Sequence, residues 1–166
     1  MKILIAYATK SGTCRQAAEL LATGLSNHTV TLADLSETTP VVGDFDYIVL
    51  GGPIRMGKAH KALRRYLAAR GDALCRVPHT LFLCCGIPHQ FEHYLGKTYP
   101  AALLESAEEM VYFGGELDVS KQKGFFDKCV ARMMRNDMRE SEEDEVMLPG
   151  FLPEHVRMLA DRLRCK

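Results

Sequence analysis

Short apolar runs alternate with segments of helical periodicity along most of the chain. The segment from Ala17 to Leu25 repeats apolar residues three and four positions apart, as an amphipathic helix does. The unbroken run at residues 47–50 is typical of a parallel strand that is buried on both faces. The pattern predicts strands at residues 2–7, 29–33, 47–50, 79–85 and 109–113 and helices at residues 15–25, 59–69, 99–106 and 153–163.

Five strands that alternate with helices predict an open, doubly wound α/β sandwich of three layers. The expected sheet is parallel, has the strand order 2-1-3-4-5 and carries helices on both faces. A chain of 166 residues fits one domain, residues 1–166. Ligands of such sheets bind at the carboxyl ends of the strands. We therefore expect the functional site between the loops that follow the first, third and fourth strands.

Residues 116–150 interrupt the alternation with an extra segment. Apolar residues from Phe125 to Met134 recur at helical spacing, and lysines and arginines surround them, which predicts a basic amphipathic helix at residues 120–139. This helix packs on the sheet or on a second copy of the chain in a homodimer, or it docks on a membrane surface or a substrate. The acidic run at residues 140–145 is interpreted as a solvated loop.

Composition narrows the classes of function. Lys and Arg number 21, as do Asp and Glu, and this zero net charge predicts no nucleic-acid partner. It also argues against an electron carrier that docks through a strongly acidic face. The sequence shows neither a run of 18 apolar residues nor a signal peptide, so we expect a cytoplasmic protein, bound at most peripherally to the inner face of the membrane through residues 120–139.

The six cysteines have no C-x-x-C spacing, so a zinc ribbon or a thioredoxin-like motif is not expected. They are interpreted as reduced thiols that mostly fill the core, including the adjacent pair Cys84 and Cys85.

The stretch from Ile3 to Cys14 is the most informative motif. An apolar run ends in the small residues Thr9, Ser11, Gly12 and Thr13, and a helical pattern starts at once. The first N–H groups of a helix have no helical partners, and the helix dipole favours an anion there. The hydroxyl groups add donors, and Gly12 lets the backbone approach a ligand closely. The motif therefore predicts a phosphate-binding loop.

Glycines also follow the other predicted strands, at Gly51-Gly52-Pro53, Gly86 and Gly114-Gly115. A flat ligand needs close backbone approach from several loops, and these turns meet at one edge of the sheet. The alternative is that the glycines only make tight turns between strands and helices.

Several phosphate chemistries are excluded by missing residues. The acidic residues of a phosphoacceptor receiver domain are replaced by Ala8-Thr9 and Gly51-Gly52. No cysteine starts a Cys-x5-Arg phosphatase motif, and neither a Walker loop nor G-x-G-x-x-G is present. The remaining interpretation is a loop that holds phosphate without cleaving it.

The segment from Tyr7 to Cys14 resembles the FMN phosphate loop of flavodoxin-like proteins. Thr9, Ser11 and Gly12 match the family pattern, whereas Cys14 stands where a threonine is usual and removes one hydroxyl donor. The resemblance implies a flavodoxin-like fold and FMN as cofactor. It implies that the phosphate is held by Thr9, Lys10, Ser11, Gly12, Thr13 and Cys14.

Residues 51–60 are similar to the second flavin loop of the bacterial menaquinone-dependent protoporphyrinogen IX dehydrogenase family, and this similarity extends over nearly the whole chain. The matching string is Ile54-Arg55-x-Gly57-x-x-His60, with Met56 at a position that is usually aromatic. This resemblance implies oxidation of protoporphyrinogen IX with a quinone acceptor. The substitution at Met56 implies that a thioether contact replaces ring stacking on the flavin.

The expected flavin-side loops are residues 53–57 and 86–94. Their proposed cofactor contacts are Pro53, Ile54, Arg55, Met56, Gly57, Gly86, Ile87, His89 and Tyr94. Arg55 either stabilises the reduced flavin or binds a substrate carboxylate, or it makes a structural salt bridge. His60 is interpreted as a helix-start residue, and no metal is expected at His89 and His93.

Three functions remain open. The first is an FMN-dependent oxidoreductase that acts on a small-molecule substrate, with the chemistry centred on the flavin. The second is a flavodoxin-type electron shuttle that serves a redox partner protein. The third is a flavodoxin-like module that has lost FMN and binds other proteins.

Overall fold

The structure, a computed structural model, describes residues 1–115 and 150–166. Its elements are β1 (Lys2–Tyr7), α1 (Thr13–Gly24), β2 (Thr29–Asp34), β3 (Tyr47–Arg55), β4 (Lys58–Ala59), α2 (Lys61–Leu74), β5 (His79–Cys84), α3 (Phe91–Thr98), α4 (Ala101–Ser106), β6 (Glu109–Tyr112) and α5 (Pro153–Arg164). The predicted basic helix at residues 120–139 and the acidic run at residues 140–145 lie outside the described residues.

The main sheet has the strand order β2-β1-β3-β5-β6, and all of its neighbouring pairs are parallel. The predicted order 2-1-3-4-5 is therefore confirmed, because the additional strand β4 pairs only with the end of β3. Ala6, Leu50 and Leu81 lie side by side in adjacent strands. This register brings the ends of β1, β3 and β5, and the loops that follow them, to one edge of the sheet.

Each face of the sheet is covered by helices. Alternate residues of a strand point to opposite faces, so that Leu4 and Ala6 pack on one side and Ile3 and Ile5 on the other. The first side is covered by apolar residues of α2, α3 and α4, and the second by those of α1 and α5. Burying each such leucine or isoleucine contributes about 1.5–3 kcal/mol, which is what holds the three layers together.

Strand β3 is longer than the sequence pattern predicts. The expectation that it ends at residue 50 is wrong, since it runs through Gly51, Gly52 and Pro53 to Arg55. Its last residues leave the parallel sheet and pair with β4, where Ile54 faces Ala59 and Arg55 faces Lys58. The apolar run at residues 47–50 covers only part of the strand, so it predicts too short an element.

The predicted helix at residues 99–106 begins too early. Tyr99 is extended, with φ −104° and ψ 139°, and α4 begins at Ala101. The cause is Pro100, whose ring disfavours the helical conformation in the preceding residue. None of the described helices is long and apolar enough to span a bilayer.

Candidate functional site

The first loop of the candidate site joins β1 to α1. Gly12, the residue before α1, has φ +97°, a left-handed conformation that favours glycine. Its N–H donates to the hydroxyl oxygen of Thr9 at 3.1 Å, and its carbonyl accepts the first helical hydrogen bond, from the N–H of Gln16 at 2.9 Å. Thr9 and Gly12 together fix the chain as it turns from the strand into the helix.

The start of α1 is suited to an anion. Gly12, the residue before α1, has no side chain that could cap the helix, and the first turn of α1 contains no acidic residue. A Cβ placed on Gly12 would meet no atom within 4 Å, so the space beside the loop is open. The helix dipole and the first-turn N–H groups therefore face a space that an anionic ligand can enter.

The six predicted phosphate-loop residues divide into two groups. Lys10 is exposed, and Thr9, Ser11 and Gly12 are half-buried, so these four border the open space. Thr13 and Cys14 are buried, and the exposed fraction of Cys14 is 1%. The thiol of Cys14 packs in the core and contacts the thiol of Cys84, and burial raises its pKa well above the usual value. Only the backbone N–H of Cys14 is left as a candidate donor to a ligand.

The second loop is the tip of the hairpin formed by β3 and β4. Met56 has φ +49° and Gly57 has φ +70°, which are the conformations of a two-residue type I′ turn. Met56 is a costly residue in this conformation, because its Cβ crowds the backbone. Its side chain is 60% exposed, whereas Ile54 and Arg55 are half-buried and Pro53 is buried. The hairpin thus presents a thioether at its tip with a guanidinium beside it.

The first and second loops are directly connected. The N–H of Ala8 donates to the carbonyl of Gly51 at 3.0 Å. A Cβ on Gly51 would lie 2.2 Å from the carbonyl oxygen of Phe82, and one on Gly52 would lie 3.4 Å from Cβ of Ala8. These two glycines allow close packing between strands, which favours the turn-and-packing interpretation of this pair over close approach to a ligand.

The third loop, between β5 and α3, is shorter than expected. Gly86, Ile87 and His89 lie in it, with His89 exposed, and residues 88–90 form a 3-10 turn. The expectation of an open loop up to residue 94 is wrong, because α3 begins at Phe91. Tyr94 lies in this helix, is only 8% exposed and packs in the core cluster that contains Cys85. Its predicted contact with a flavin ring stays a prediction.

Two interactions support the third loop from the neighbouring strand. The hydroxyl of Tyr112 donates to the carbonyl of Cys85 at 2.8 Å, and a Cβ on Gly115 would lie 2.6 Å from the carbonyl carbon of Cys85. The Cys85 thiol points to the carbonyl of Ile87, with sulfur and oxygen 3.6 Å apart. Burial raises the pKa of this thiol to about 11, so it stays protonated at neutral pH.

His60 links the first loop to the hairpin electrostatically. It precedes α2, and its Nδ1 accepts the N–H of Ala62 at 3.3 Å, which confirms its interpretation as a helix-start residue. Partial burial lowers the pKa of His60 from 6.5. The charge of Asp34 opposes this shift, and those of Lys61, Lys10 and Arg55 add to it. The charges of Lys10 and Arg55, predicted from separate motifs, therefore both act on one imidazole.

Some features of the site were not anticipated from the sequence. The ion pair between Arg15 and Asp34, 3.1 Å long, ties α1 to the end of β2. The contact between Cys14 and Cys84 joins residues that are far apart in the chain. Gly57 is a weak sequence signal for the hairpin turn, because glycine is preferred at the second central position of a type I′ turn.

The site, as far as the described residues form it, contains donors for an anion but no cluster of metal ligands. Among the described residues, no group of three or more His, Cys, Asp or Glu side chains is arranged to hold a metal ion. The arrangement combines an anion-binding helix start with two flanking loops at the same sheet edge. It can hold a ligand that carries a phosphate at one end and a flat group at the other.

A family model described as "Flavodoxin domain" matches residues 4–145. A search of curated proteins finds no match.

Solved structures show the same fold at low sequence identity. The FMN-bound flavodoxin of Fusobacterium nucleatum has a TM-score of 0.52 and 12% identity, over 99% of this chain and 97% of that one. A flavodoxin from the domain Archaea has a TM-score of 0.53 and 12% identity, over 84% and 100%. Oxidised Flavodoxin 2 of Bacillus cereus has a TM-score of 0.51 and 19% identity, over 84% and 99%. The expected flavodoxin-like α/β fold is thereby confirmed.

Proposed function

The chain belongs to the flavodoxin domain family, and we propose that it binds FMN at the carboxyl edge of its sheet and transfers electrons through the bound flavin. The observation that carries this proposal is the loop from Thr9 to Gly12, which ends in a left-handed glycine directly before α1. A flavodoxin of the same fold is bound to FMN, which supports the choice of ligand.

The first loop fits the phosphate of FMN. The N–H groups at the start of α1, together with the hydroxyl of Ser11, would donate to the phosphate oxygens. The hydroxyl of Thr9 already accepts the N–H of Gly12 and would mainly hold the loop in shape. Lys10 adds a positive charge at the exposed side of the loop.

The hairpin and the third loop would flank the ring system. Bound FMN supplies the one- and two-electron chemistry of the isoalloxazine ring. Met56 would contact the ring through its polarisable thioether, and residues 53–55 would approach its edge. Gly86, Ile87 and His89 would border the other side, with Tyr94 beneath them in α3. Arg55 would stabilise negative charge on the reduced ring.

A titration with FMN and riboflavin tests the proposal. We expect quenching of flavin fluorescence with FMN, and binding of riboflavin that is at least about tenfold weaker, because riboflavin lacks the phosphate. The substitution Ser11→Asp places a carboxylate beside the phosphate and should weaken FMN binding by about 100-fold while leaving riboflavin binding unchanged. Ser26→Asp, at an exposed position beyond the other end of α1, is the matched control.

Equal affinity for FMN and riboflavin would show that the loop from Thr9 to Gly12 does not bind the phosphate. If neither flavin binds, the remaining function is the third one, a flavodoxin-like module that binds other proteins without a cofactor.

We propose a second candidate function, the oxidation of protoporphyrinogen IX with a quinone acceptor. It is favoured by the placement of the string Ile54-Arg55-x-Gly57-x-x-His60 on one structural unit, the hairpin and the start of α2. The charge of Arg55 helps to lower the pKa of His60 on this unit, and the Arg55 guanidinium would bind a substrate carboxylate there.

An assay of the FMN-loaded protein with protoporphyrinogen IX and menadione tests this candidate. Arg55→Ala should raise KM by about tenfold, and Arg55→Lys, which keeps the charge but not the bidentate geometry, should recover only part of the loss. Oxidation no faster than in the absence of protein, in a sample shown to contain FMN, would leave electron transfer between proteins as the function.

A further inference from the structure

The segment from β3 to the first three turns of α2 has an unusual charge. Residues 47–71 contain six lysines and arginines and no aspartate or glutamate. Since the whole chain has a net charge of zero, the remaining residues carry a net charge of −6. The hairpin and most of α2 therefore carry six positive charges that no acidic residue of the same segment offsets.

Four of these cations form one exposed surface, which we call the basic surface: Lys58, Lys61, Arg64 and Arg65. The last three are spaced three and four residues apart in α2 and share one side of the helix. Lys58 lies in the hairpin that precedes them. In the parts of the chain that the structure describes, none of the four forms an ion pair with a carboxylate.

The position of these cations is unfavourable for the stability of α2. The start of a helix carries the positive end of the helix dipole, where aspartate or glutamate stabilises and lysine or arginine destabilises. The first turn of α2 contains no acidic residue, and its first five residues include Lys61, Arg64 and Arg65. The first turn of α1, at the phosphate loop, also lacks an acidic residue. The positive ends of the dipoles of α1 and α2 and the four exposed cations together produce a positive potential at the site.

We propose that the basic surface is the docking site for an acidic protein that exchanges electrons with the bound flavin. This proposal rests on the proposed function, since the surface begins at the hairpin that would flank the flavin ring. Transient redox complexes are held by complementary charge around a small apolar contact. The exposed Met56 supplies such a contact next to Lys58.

A protein surface fits the basic surface better than a lipid surface does. A helix that lies in a bilayer surface combines its cations with several large apolar side chains that insert beside them. The large exposed apolar residues of the described chain are Met1, Leu32, Val41, Met56, Met110 and Met158. Only Met56 adjoins the basic surface, at the tip of the hairpin, and none of the six lies in α2. The exposed side of α2 offers charge without an apolar anchor.

Stopped-flow reduction of two haem proteins by the reduced, FMN-loaded protein tests the proposal. The probes are cytochrome b5, which is acidic, and cytochrome c, which is basic. At low ionic strength we expect cytochrome b5 to be reduced faster than cytochrome c. Added salt should slow the reduction of cytochrome b5 steeply and should not slow that of cytochrome c. The double variant Lys61→Glu/Arg64→Glu should lower the rate with cytochrome b5 by about tenfold or more.

The double variant Arg76→Glu/Arg157→Glu is the matched control, because it makes the same change in net charge at exposed residues outside the basic surface. It should change the rate with cytochrome b5 by less than about twofold. Equal effects of the two double variants, or a preference for cytochrome c at low ionic strength, would overturn the proposal.

A second measurement separates this proposal from the binding of FMN. In an NMR titration of the protein with oxidised cytochrome b5, without added flavin, the amide shifts should change at residues 58–65, and Lys61→Glu/Arg64→Glu should abolish the change. If FMN fails to bind and these shifts persist, the proposed function fails while the surface stands. Binding to vesicles of phosphatidylcholine and phosphatidylserine is measured for the same two proteins. If the double variant loses its binding to vesicles, and the wild type does not bind cytochrome b5, the surface belongs to lipid and the proposal is overturned.

Discussion

The hydroxyl of Tyr99 donates a hydrogen bond to the backbone carbonyl of Phe82 at 2.8 Å, and it lies 3.2 Å from the carbonyl of Leu50. Leu50 and Phe82 belong to β3 and β5, whose ends carry the second and third loops of the site. Burial raises the pKa of Tyr99 well above its usual value, so the hydroxyl remains a donor. The connection between α3 and α4 thus holds together the two strands that flank the proposed flavin site.

Removing this hydroxyl should destabilise the protein. We expect Tyr99→Phe to lower the free energy of unfolding by about 1–3 kcal/mol, because buried carbonyl groups lose their donor. Urea unfolding measures the change. Tyr66→Phe is the control: the Tyr66 hydroxyl donates to the carbonyl of Pro40 at 3.1 Å in a partly buried position, and its loss should cost about 0.5–1.5 kcal/mol. Equal losses in the two variants would contradict a special role for Tyr99.

Gly51 should not tolerate a side chain. A Cβ at this position would lie 2.2 Å from the carbonyl oxygen of Phe82 and 2.5 Å from its ring, so β3 and β5 would have to separate. We expect Gly51→Ala to destabilise the protein by about 3 kcal/mol or to prevent folding. The measurement is the free energy of unfolding together with the yield of folded protein.

Gly71 provides the control for Gly51. It lies in α2, and a Cβ there would meet no atom within 4 Å. Gly71→Ala should stabilise the protein by about 0.5–1 kcal/mol, because alanine favours the helix. A mild effect of Gly51→Ala, comparable in size to that of Gly71→Ala, would mean that β3 and β5 are less tightly packed than described.

Met56 should show opposite effects on stability and on FMN binding. Asparagine adopts the left-handed conformation of a type I′ turn more readily than methionine, so we expect Met56→Asn to stabilise the protein by about 1 kcal/mol. The same variant loses the thioether contact, and its affinity for FMN should fall by about tenfold. Thermal unfolding and flavin titration measure the two effects. A gain in both would show that Met56 does not contact the flavin.

The hydrophobic pattern predicts the sheet but not the whole site. The five apolar runs that alternate with helices predict a doubly wound parallel sheet, for which 2-1-3-4-5 is a common strand order. The small residues after β1 predict the loop at the start of α1. These features depend on residues that are close in the sequence. For this reason Thr9, Gly12 and His60 could be assigned to their local structures from sequence alone.

The remaining features depend on contacts between distant segments. The extension of β3 to Arg55 requires β4 as a partner, and the helix at residues 91–98 has too few apolar residues to show a clear period. The burial of Cys14 depends on Cys84, which lies at the end of another strand. Propensity and periodicity depend only on residues that are close in the sequence, so they do not predict the pairing of β3 with β4 or the contact of Cys14 with Cys84.

The start of α2 should become less stable in acid because of His60. The pKa of His60 in the folded protein is below 6.5, mainly through partial burial, whereas in the unfolded chain it is about 6.5. The unfolded state therefore takes up a proton first as the pH falls, and stability drops below about pH 6.5 until the folded pKa is passed. Protonation also removes the Nδ1 acceptor that caps Ala62.

Comparison with a non-titrating cap isolates this effect. In His60→Asn the side-chain oxygen can still accept the N–H of Ala62, but it cannot gain a charge. We expect the stability of the wild type relative to His60→Asn to fall as the pH is lowered through about 6.5 towards the folded pKa of His60, as measured by urea unfolding at each pH. His89→Asn, at an exposed position of the third loop, controls for the loss of a histidine. Parallel pH profiles of the wild type and His60→Asn would show that the charge on His60 does not affect folding.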